Sequence, residues 1–413
     1  MEDVVRHNVV LQSKITAMRH LMSTLPYQSL NEAPIATSRL LSIDLLRGLT
    51  LAFMILVNDN GSDKAAYWAL NHTAWNGFTP TDLVFPTFLF VIGITIVLST
   101  SKRRQQGSSS TKLIVHIVRR AAILFLLGLV VNSAPLFHLS TLRFYGVLPR
   151  IALCYLVVAV YYTLNANWRN KLFALVALLA AYWALMRLVP VPGYGLPGRD
   201  VPLLDHNGNL AAWLDRQMFS SAHLYERTRD PEGLLSTLPA IATTLLGLLT
   251  GLWLKTKHSL SFKLRGILIA GVSSILVGGF WNIWFPINKK LWTSSYVLFA
   301  GGLSLLLLAL FLWFADMRKL RRIGTETSVF ETSLLVFGTN AIFAYVLSEV
   351  LASCLDTISG WRGGNLHAAF YQTILAVVPN AAFASLLYSL IYVAVCWLVV
   401  YVFLYRRKIF LKI

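Results

Sequence analysis

Apolar runs of about 20 residues recur along the whole chain, and this recurrence decides most of what it can fold into. A helix rising 1.5 Å per residue needs about that length to cross the hydrocarbon of a bilayer. Soluble domains are about one-quarter charged, whereas this chain is 13% charged and 56% hydrophobic, with a mean hydropathy of +0.62. Alternation of apolar and polar residues over strand-length units, the mark of a membrane β-barrel, is absent. The chain is therefore read as an all-α polytopic membrane protein. Ten spans are predicted, at roughly 43–58, 82–101, 113–131, 147–164, 171–189, 234–254, 265–284, 293–314, 332–353 and 382–405. The segment 367–380 is apolar only in its middle. It reads as a re-entrant or interfacial piece, or as an eleventh span. Residues 1–38 are polar and mixed, without the layout of a cleavable signal peptide, and form a cytoplasmic tail before a transmembrane domain at 39–413. Met18 and Met22 are alternative starts.

The net charge of +18 is read as topology. With the N-terminus inside, most lysines and arginines fall on the cytoplasmic side: in the tail, 102–120, 169–171, 255–265, 318–322 and the C-terminus. Both termini are then cytoplasmic. The connector carrying His72 and the longest loop, 190–233, lie outside. Glycine and proline in that loop predict turns rather than helix, and its length suits a cap over an external opening. No stacking platform or nucleic-acid motif accompanies the charge, so no nucleic-acid partner is expected. Cys154, Cys354 and Cys396 show neither metal spacing nor a disulfide framework, and no metal is expected. No nucleotide-binding glycine motif or short-period repeat is present.

Chemistry concentrates in residues 39–93. Charged groups in or at the rim of membrane segments are costly and persist for a reason. Asp44 and Arg47 lie three apart and share a helix face. They form either an internal ion pair or, with Arg39, a phosphate-facing cluster at the inner mouth. Asn58 ends the first span, as a helix cap or as a donor to a developing oxyanion. His72 is either an interfacial histidine or a general base poised near neutral pH, with Asp82 the carboxylate to orient it. Tyr67, Trp68, Trp75 and Phe78 mostly anchor helices at the headgroups, leaving one or two to stack on a sugar. Arg150, three residues into the fourth span, needs a distant partner, for which Asp82 is the candidate. Polar clusters at 285–296, including Ser294, and at 338–349, including Asn340, bond other helices or line a cavity.

Seven blocks, in this order, resemble the heparan-α-glucosaminide N-acetyltransferase family. They are RLLSIDLLRG, HTAWNGFTPTDLVFPTFLFVIG, GVLPRIALCY, DPEGLLSTLPAIATTLLGLLTG, PINKKLWTSSYV, GTNAIFAYVLSE and YRRKIFLKI. The resemblance covers roughly 39–413 and is nearest to short bacterial members. It implies a multi-pass protein of the bacterial inner membrane, and it points to a homodimer. It also implies an enzyme that takes acetyl-CoA from the cytoplasm and hands the acetyl group to an amino sugar on the far side. His72, in its H-x-x-W-x-G setting, matches the catalytic histidine. Asn58 matches the asparagine that ends the preceding helix near the reacting group. Arg39 and Arg47 match the arginines of the R-x-x-S-x-D-x-x-R-G block and are placed for the phosphates of CoA. The candidate sites are then His72, Asn58 and Asp82 for catalysis, and Arg39, Asp44, Arg47, Arg150, Ser294 and Asn340 for the co-substrate. Direct transfer and an acetyl-histidine intermediate both stay open. An amino sugar from chitin or peptidoglycan fits a bacterial member, and heparan does not. The competing reading is a proton-coupled sugar or amino-sugar transporter, with the intramembrane His, Asp and Arg as a relay. Against it stands the lack of an inverted repeat or matching broken helices.

Overall fold

The computed structural model describes residues 40–136, 138–317, 328–361 and 364–411. Arg39, the N-terminal tail and the basic residues 318–322 lie outside them. Regular structure among the described residues is helical. In chain order the helices are α1 (Leu41–Asn58), α2 (Val84–Gln105), α3 (Ser110–Ser133), α4 (Val147–Leu164), α5 (Trp168–Leu188), α6 (Leu210–Met218) and α7 (Thr237–Leu254). They continue with α8 (Leu260–Trp281), α9 (Ser294–Phe311), α10 (Val329–Thr339), α11 (Ala341–Thr357), α12 (Leu366–Val377) and α13 (Ala381–Val400). Nine of the described helices are long and apolar enough to cross a membrane, and ten spans result if α10 and α11 count as one. That pair departs from the straight ninth span expected from sequence. The two helices meet at 78°, because Asn340 leaves the helical conformation between them. Helix α12, at 12 residues, is too short to span.

The described residues of 40–256 and 260–411 make one compact unit. In a bilayer, lipid tails are as apolar as leucine, so close packing and hydrogen bonds associate the helices. Two helix pairs meet through reciprocal glycines. A Cβ on Gly48 would collide with the Leu334 carbonyl and one on Gly338 with the Asp44 carbonyl, which seats α10 on α1. Gly93 against Thr244, and Gly247 against Phe90, seat α2 on α7 in the same way. The helix ends are closed by side chains. Asp316 accepts from the first amides of α1, Leu41 and Ser42, both at 3.2 Å. Lys171 Nζ donates to Asn165 O and Asn167 O just beyond α4, and Lys263 Nζ donates to Leu254 O at the end of α7. A basic group at a helix C-terminus satisfies open carbonyls and opposes the helix dipole.

The loop 189–236 contains helix α6, where turns alone were expected. Its glycines and prolines cluster before residue 209, and Asn209 then caps α6 by accepting from Ala212 N at 2.9 Å. This loop lies over the His72 connector. Trp75 stacks on His206 with ring centroids 3.9 Å apart, donates to Leu204 O at 2.8 Å, and lies under the Arg229 guanidinium.

Candidate active site

The sequence Thr79-Pro-Thr-Asp82 sets up the site locally. Proline suits the first helical position, and threonine with an acid three residues on forms a capping box. A short 3₁₀ turn, Pro80–Leu83, starts there with both halves of the box in place. Asp82 Oδ2 accepts from Thr79 N at 3.0 Å, Thr79 Oγ1 at 3.1 Å and Thr73 N at 3.3 Å. Oδ1 is left for His72 Nδ1 at 2.7 Å. An acid held by three donors is an acceptor, so Nδ1 carries the proton and Nε2 presents a lone pair. The Asp82 side chain is fully buried, whereas that of His72 is 41% exposed. Burial and the nearby Lys289 ammonium hold the His72 pKa below the ordinary 6.5, outweighing Asp82 and Glu232. The ring is therefore a neutral base at pH 7, oriented by a carboxylate.

The expected clusters at the span ends support this pair. Tyr296, fully buried, donates to Asp82 O at 2.6 Å. Gly77, at φ +118° where glycine is favoured, donates to Ile287 O at 2.8 Å, and Asn288 Nδ2 reaches Asn76 Oδ1 at 3.1 Å. Trp292, fully buried, adopts φ +54° in the same turn and packs edge-on against Phe85 and Tyr296. A bulky residue there persists only when its surroundings over-determine it. The turn holds Lys289 near His72 and Glu232. Glu232 Oε2 accepts from Arg143 at 2.5 Å, and Asp230 takes two further bonds from Arg143 at 2.6 and 2.8 Å. Burial raises the Glu232 pKa, but Arg143, Lys289 and Arg150 outweigh it and hold it below the usual carboxylate range. Asp215 accepts from Asp230 N and Leu234 N and is pushed up to about 7, chiefly by burial.

The other expected residues separate from this centre. Arg150 does not pair with Asp82: it bonds Gly233 O at 3.1 Å and Ser236 Oγ, and lies over Trp292. The loop entering α7 comes within its reach first. Asn58 Nδ2 donates to Glu349 at 3.2 Å, and no hydrogen bond joins it to His72. Ser294, fully buried, donates to Leu179 O at 2.8 Å. Asp44, Arg47 and Asn340 gather at the opposite end of α1. Arg47 reaches Asp44 at 3.2 Å and Gly338 O at 3.0 Å, while Asn340 grips Ile409 O and Leu411 N. Phe78 packs against Tyr296 and Phe299, whereas Tyr67 and Trp68 are exposed. Sequence reasoning missed Lys289, Arg143, Glu232 and Trp292. The first three lie in or beside blocks already singled out; no sequence signal marks the backbone of Trp292.

The sequence from 39 to 279 matches the family model described as heparan-alpha-glucosaminide N-acetyltransferase, catalytic. Heparan-alpha-glucosaminide N-acetyltransferase of Mus musculus is 29% identical over 92% of this chain and 61% of its own length. The Homo sapiens protein of that name is 29% identical over 91% of this chain and 60% of its own. The chain thus spans about three-fifths of the curated relatives it matches. The model match covers more than half of the residues and includes the His72–Asp82 pair, and the chain belongs to the heparan-alpha-glucosaminide N-acetyltransferase catalytic family.

Proposed function

We propose that this chain is a membrane acetyltransferase that moves the acetyl group of cytoplasmic acetyl-CoA to an amino sugar at the opposite face. The observation that carries the reading is the buried Asp82 fixing His72 with Nε2 free. Bound acetyl-CoA supplies an activated acetyl thioester. The residues fit such a carrier, whose phosphates and thioester lie at opposite ends of an extended arm. Helix α1 is 18 residues long, or about 27 Å. Arg47 lies two turns into this helix, about 17 Å from the end at Asn58 that the His72 connector follows. Arg47 would hold phosphate, with Arg39 its candidate companion.

His72 Nε2 takes a proton from the acceptor amine as nitrogen attacks the thioester carbonyl, and Asp82 stabilises the imidazolium that forms. The proton then passes from His72 to the departing thiolate. Among the described residues no hydrogen bond or ion pair occupies the Lys289 ammonium, which lies within electrostatic reach of His72. It is placed to stabilise negative charge on the carbonyl oxygen, a role that Asn58 was expected to fill. Basic residues of the α2–α3, α4–α5 and α7–α8 connections and the C-terminus crowd the Arg47 end, which supports a cytoplasmic Arg47 and an external His72.

The test is a CoA-release assay on purified protein in nanodiscs with acetyl-CoA and a panel of amino sugars. The expected result is release that needs both the sugar and His72. Sugar uptake into vesicles without acetyl-CoA consumption would favour the transporter and sink this reading.

A further inference from the structure

We propose that Arg103, His116, Arg119 and Arg120, gathered where α2 ends and α3 begins, form a binding site for the phosphodiester headgroup of an anionic phospholipid. The site goes beyond the acetyl-transfer reading and does not depend on it. No aspartate or glutamate occurs between Asp82 and Asp200, so the basic residues of that stretch must find partners elsewhere. Arg104 finds Thr163 O at 2.6 Å, and Lys171 finds Asn165 O and Asn167 O. Arg103, Arg119 and Arg120 find none: among the described residues no hydrogen bond or ion pair engages their guanidinium groups. Arg120 Nε is shut off from solvent and donates to nothing, while the guanidinium lies 4.8 Å from the centre of the Tyr155 ring. A buried donor without an acceptor is costly. His116 lies within electrostatic reach of all three arginines, and the charges that act on it are all basic. An anion relieves that crowding, and the planar fork of arginine matches a pair of phosphate oxygens.

The position of the cluster favours a lipid over a soluble phosphate. His116, Arg119 and Arg120 are spaced i, i+3, i+4 and share one face of α3. The same face continues through Ile123, Leu126 and Val130, all exposed. Helix α3 starts at Ser110. At 1.5 Å per residue Arg119 lies about 14 Å along a helix that has about 30 Å of hydrocarbon to cross. A charge at that depth on the outside of a bundle reaches for the headgroups. Helical side chains lean towards the N-terminus of their helix, which here is the nearer headgroup side. A basic row that passes into an apolar row along one helix face matches a headgroup followed by its acyl chains. A soluble phosphate has no use for the second row.

Native mass spectrometry on the full chain, released from micelles doped with phosphatidylglycerol or phosphatidylcholine, tests the site without any turnover. The unaltered protein is expected to retain phosphatidylglycerol in clear preference to phosphatidylcholine. Arg103→Gln, Arg119→Gln and Arg120→Gln should each lower that retention about fivefold. Arg169→Gln, which removes an exposed arginine of the α4–α5 connection, should leave it unchanged. Equal retention of the two lipids overturns the proposal. So does an equal loss in R169Q, which would leave only the general charge of this face. In phosphatidylcholine nanodiscs, binding of inorganic phosphate or acetyl-CoA that R119Q weakens would assign the cluster to a soluble phosphate and overturn the lipid. If R120Q does not fold, R103Q and R119Q decide, since both arginines are exposed.

Discussion

Two histidine–aspartate pairs stand on the loop side of this molecule, and they differ in what the second ring nitrogen does. In both, Nδ1 faces an aspartate oxygen, at 2.7 Å for His72–Asp82 and 3.0 Å for His367–Asp356. His367 Nε2 also meets Asn60 O, at 2.9 Å, so both of its nitrogens are occupied. Its ring stacks on Tyr388 and ties α12 to the connector after α1. Among the described residues His72 Nε2 has no hydrogen-bond partner. The acids differ as well: Asp82 is buried and held by three further bonds, whereas the Asp356 side chain is 57% exposed. A pair with every position used is a brace. A pair with one lone pair open and a fixed acid behind it is a base. Residue type and pairing alone do not separate the two; the free nitrogen and the burial do.

The largest effect that would sharpen this contrast is expected from His72→Ala. It should lower kcat by about 10²- to 10⁴-fold while leaving acetyl-CoA binding intact. Loss of binding and turnover together would make His72 a structural residue and erase the distinction. Asp82→Asn is next. An amide can present a donor to Nδ1 and favour the wrong tautomer, so kcat should fall about 10²-fold with KM little changed. Lys289→Met should cost about tenfold in kcat and raise the pH at which the rate falls, because the ammonium that depresses His72 is gone. In the unaltered protein His72 must be neutral to act as the proposed base. The rate should therefore fall with decreasing pH through a pKa below 6.5, the direction set by burial and Lys289; an acid limb centred above 6.5 contradicts this. The smallest effect is expected from His367→Phe. Its kcat should stay within about threefold, while the melting temperature drops by a few degrees as the brace loses bonds worth about 1 kcal/mol each. A collapse of kcat in that folded variant would break the comparison.

Much of the fold was legible because its causes are local. Apolar runs of membrane length mark nine of the described spans directly. The Thr79–Asp82 capping box could be read from four residues, and so could the proximity of Asp82 to His72 ten positions before it. The sequence also placed Arg47 and Asp44 on one face, where they pair. The α10–α11 bend and the helix in the outer loop escaped, since each depends on one asparagine whose effect on the backbone is not periodic. The partner of Arg150 was misjudged for a related reason. Apposition at a span end depends on how loops close, and Gly233 and Ser236 arrive from a loop more than 80 residues away.

By itself, then, the sequence determined the membrane class, the approximate spans and the family, and it singled out His72 as the candidate base. Hydrophobic length, capping and charge asymmetry act over one or two helical turns and are written contiguously. Only the tertiary structure decided which histidine has a ring nitrogen open and which is a brace, and which arginine meets which acid. Asn60 and His367 are 307 residues apart, and Asn58 and Glu349 are 291 apart. Such contacts are set by which helices can approach closely enough to share a backbone surface, as the paired glycines of α1 with α10 and α2 with α7 do. That choice belongs to the packing of the whole bundle and to no single stretch of chain.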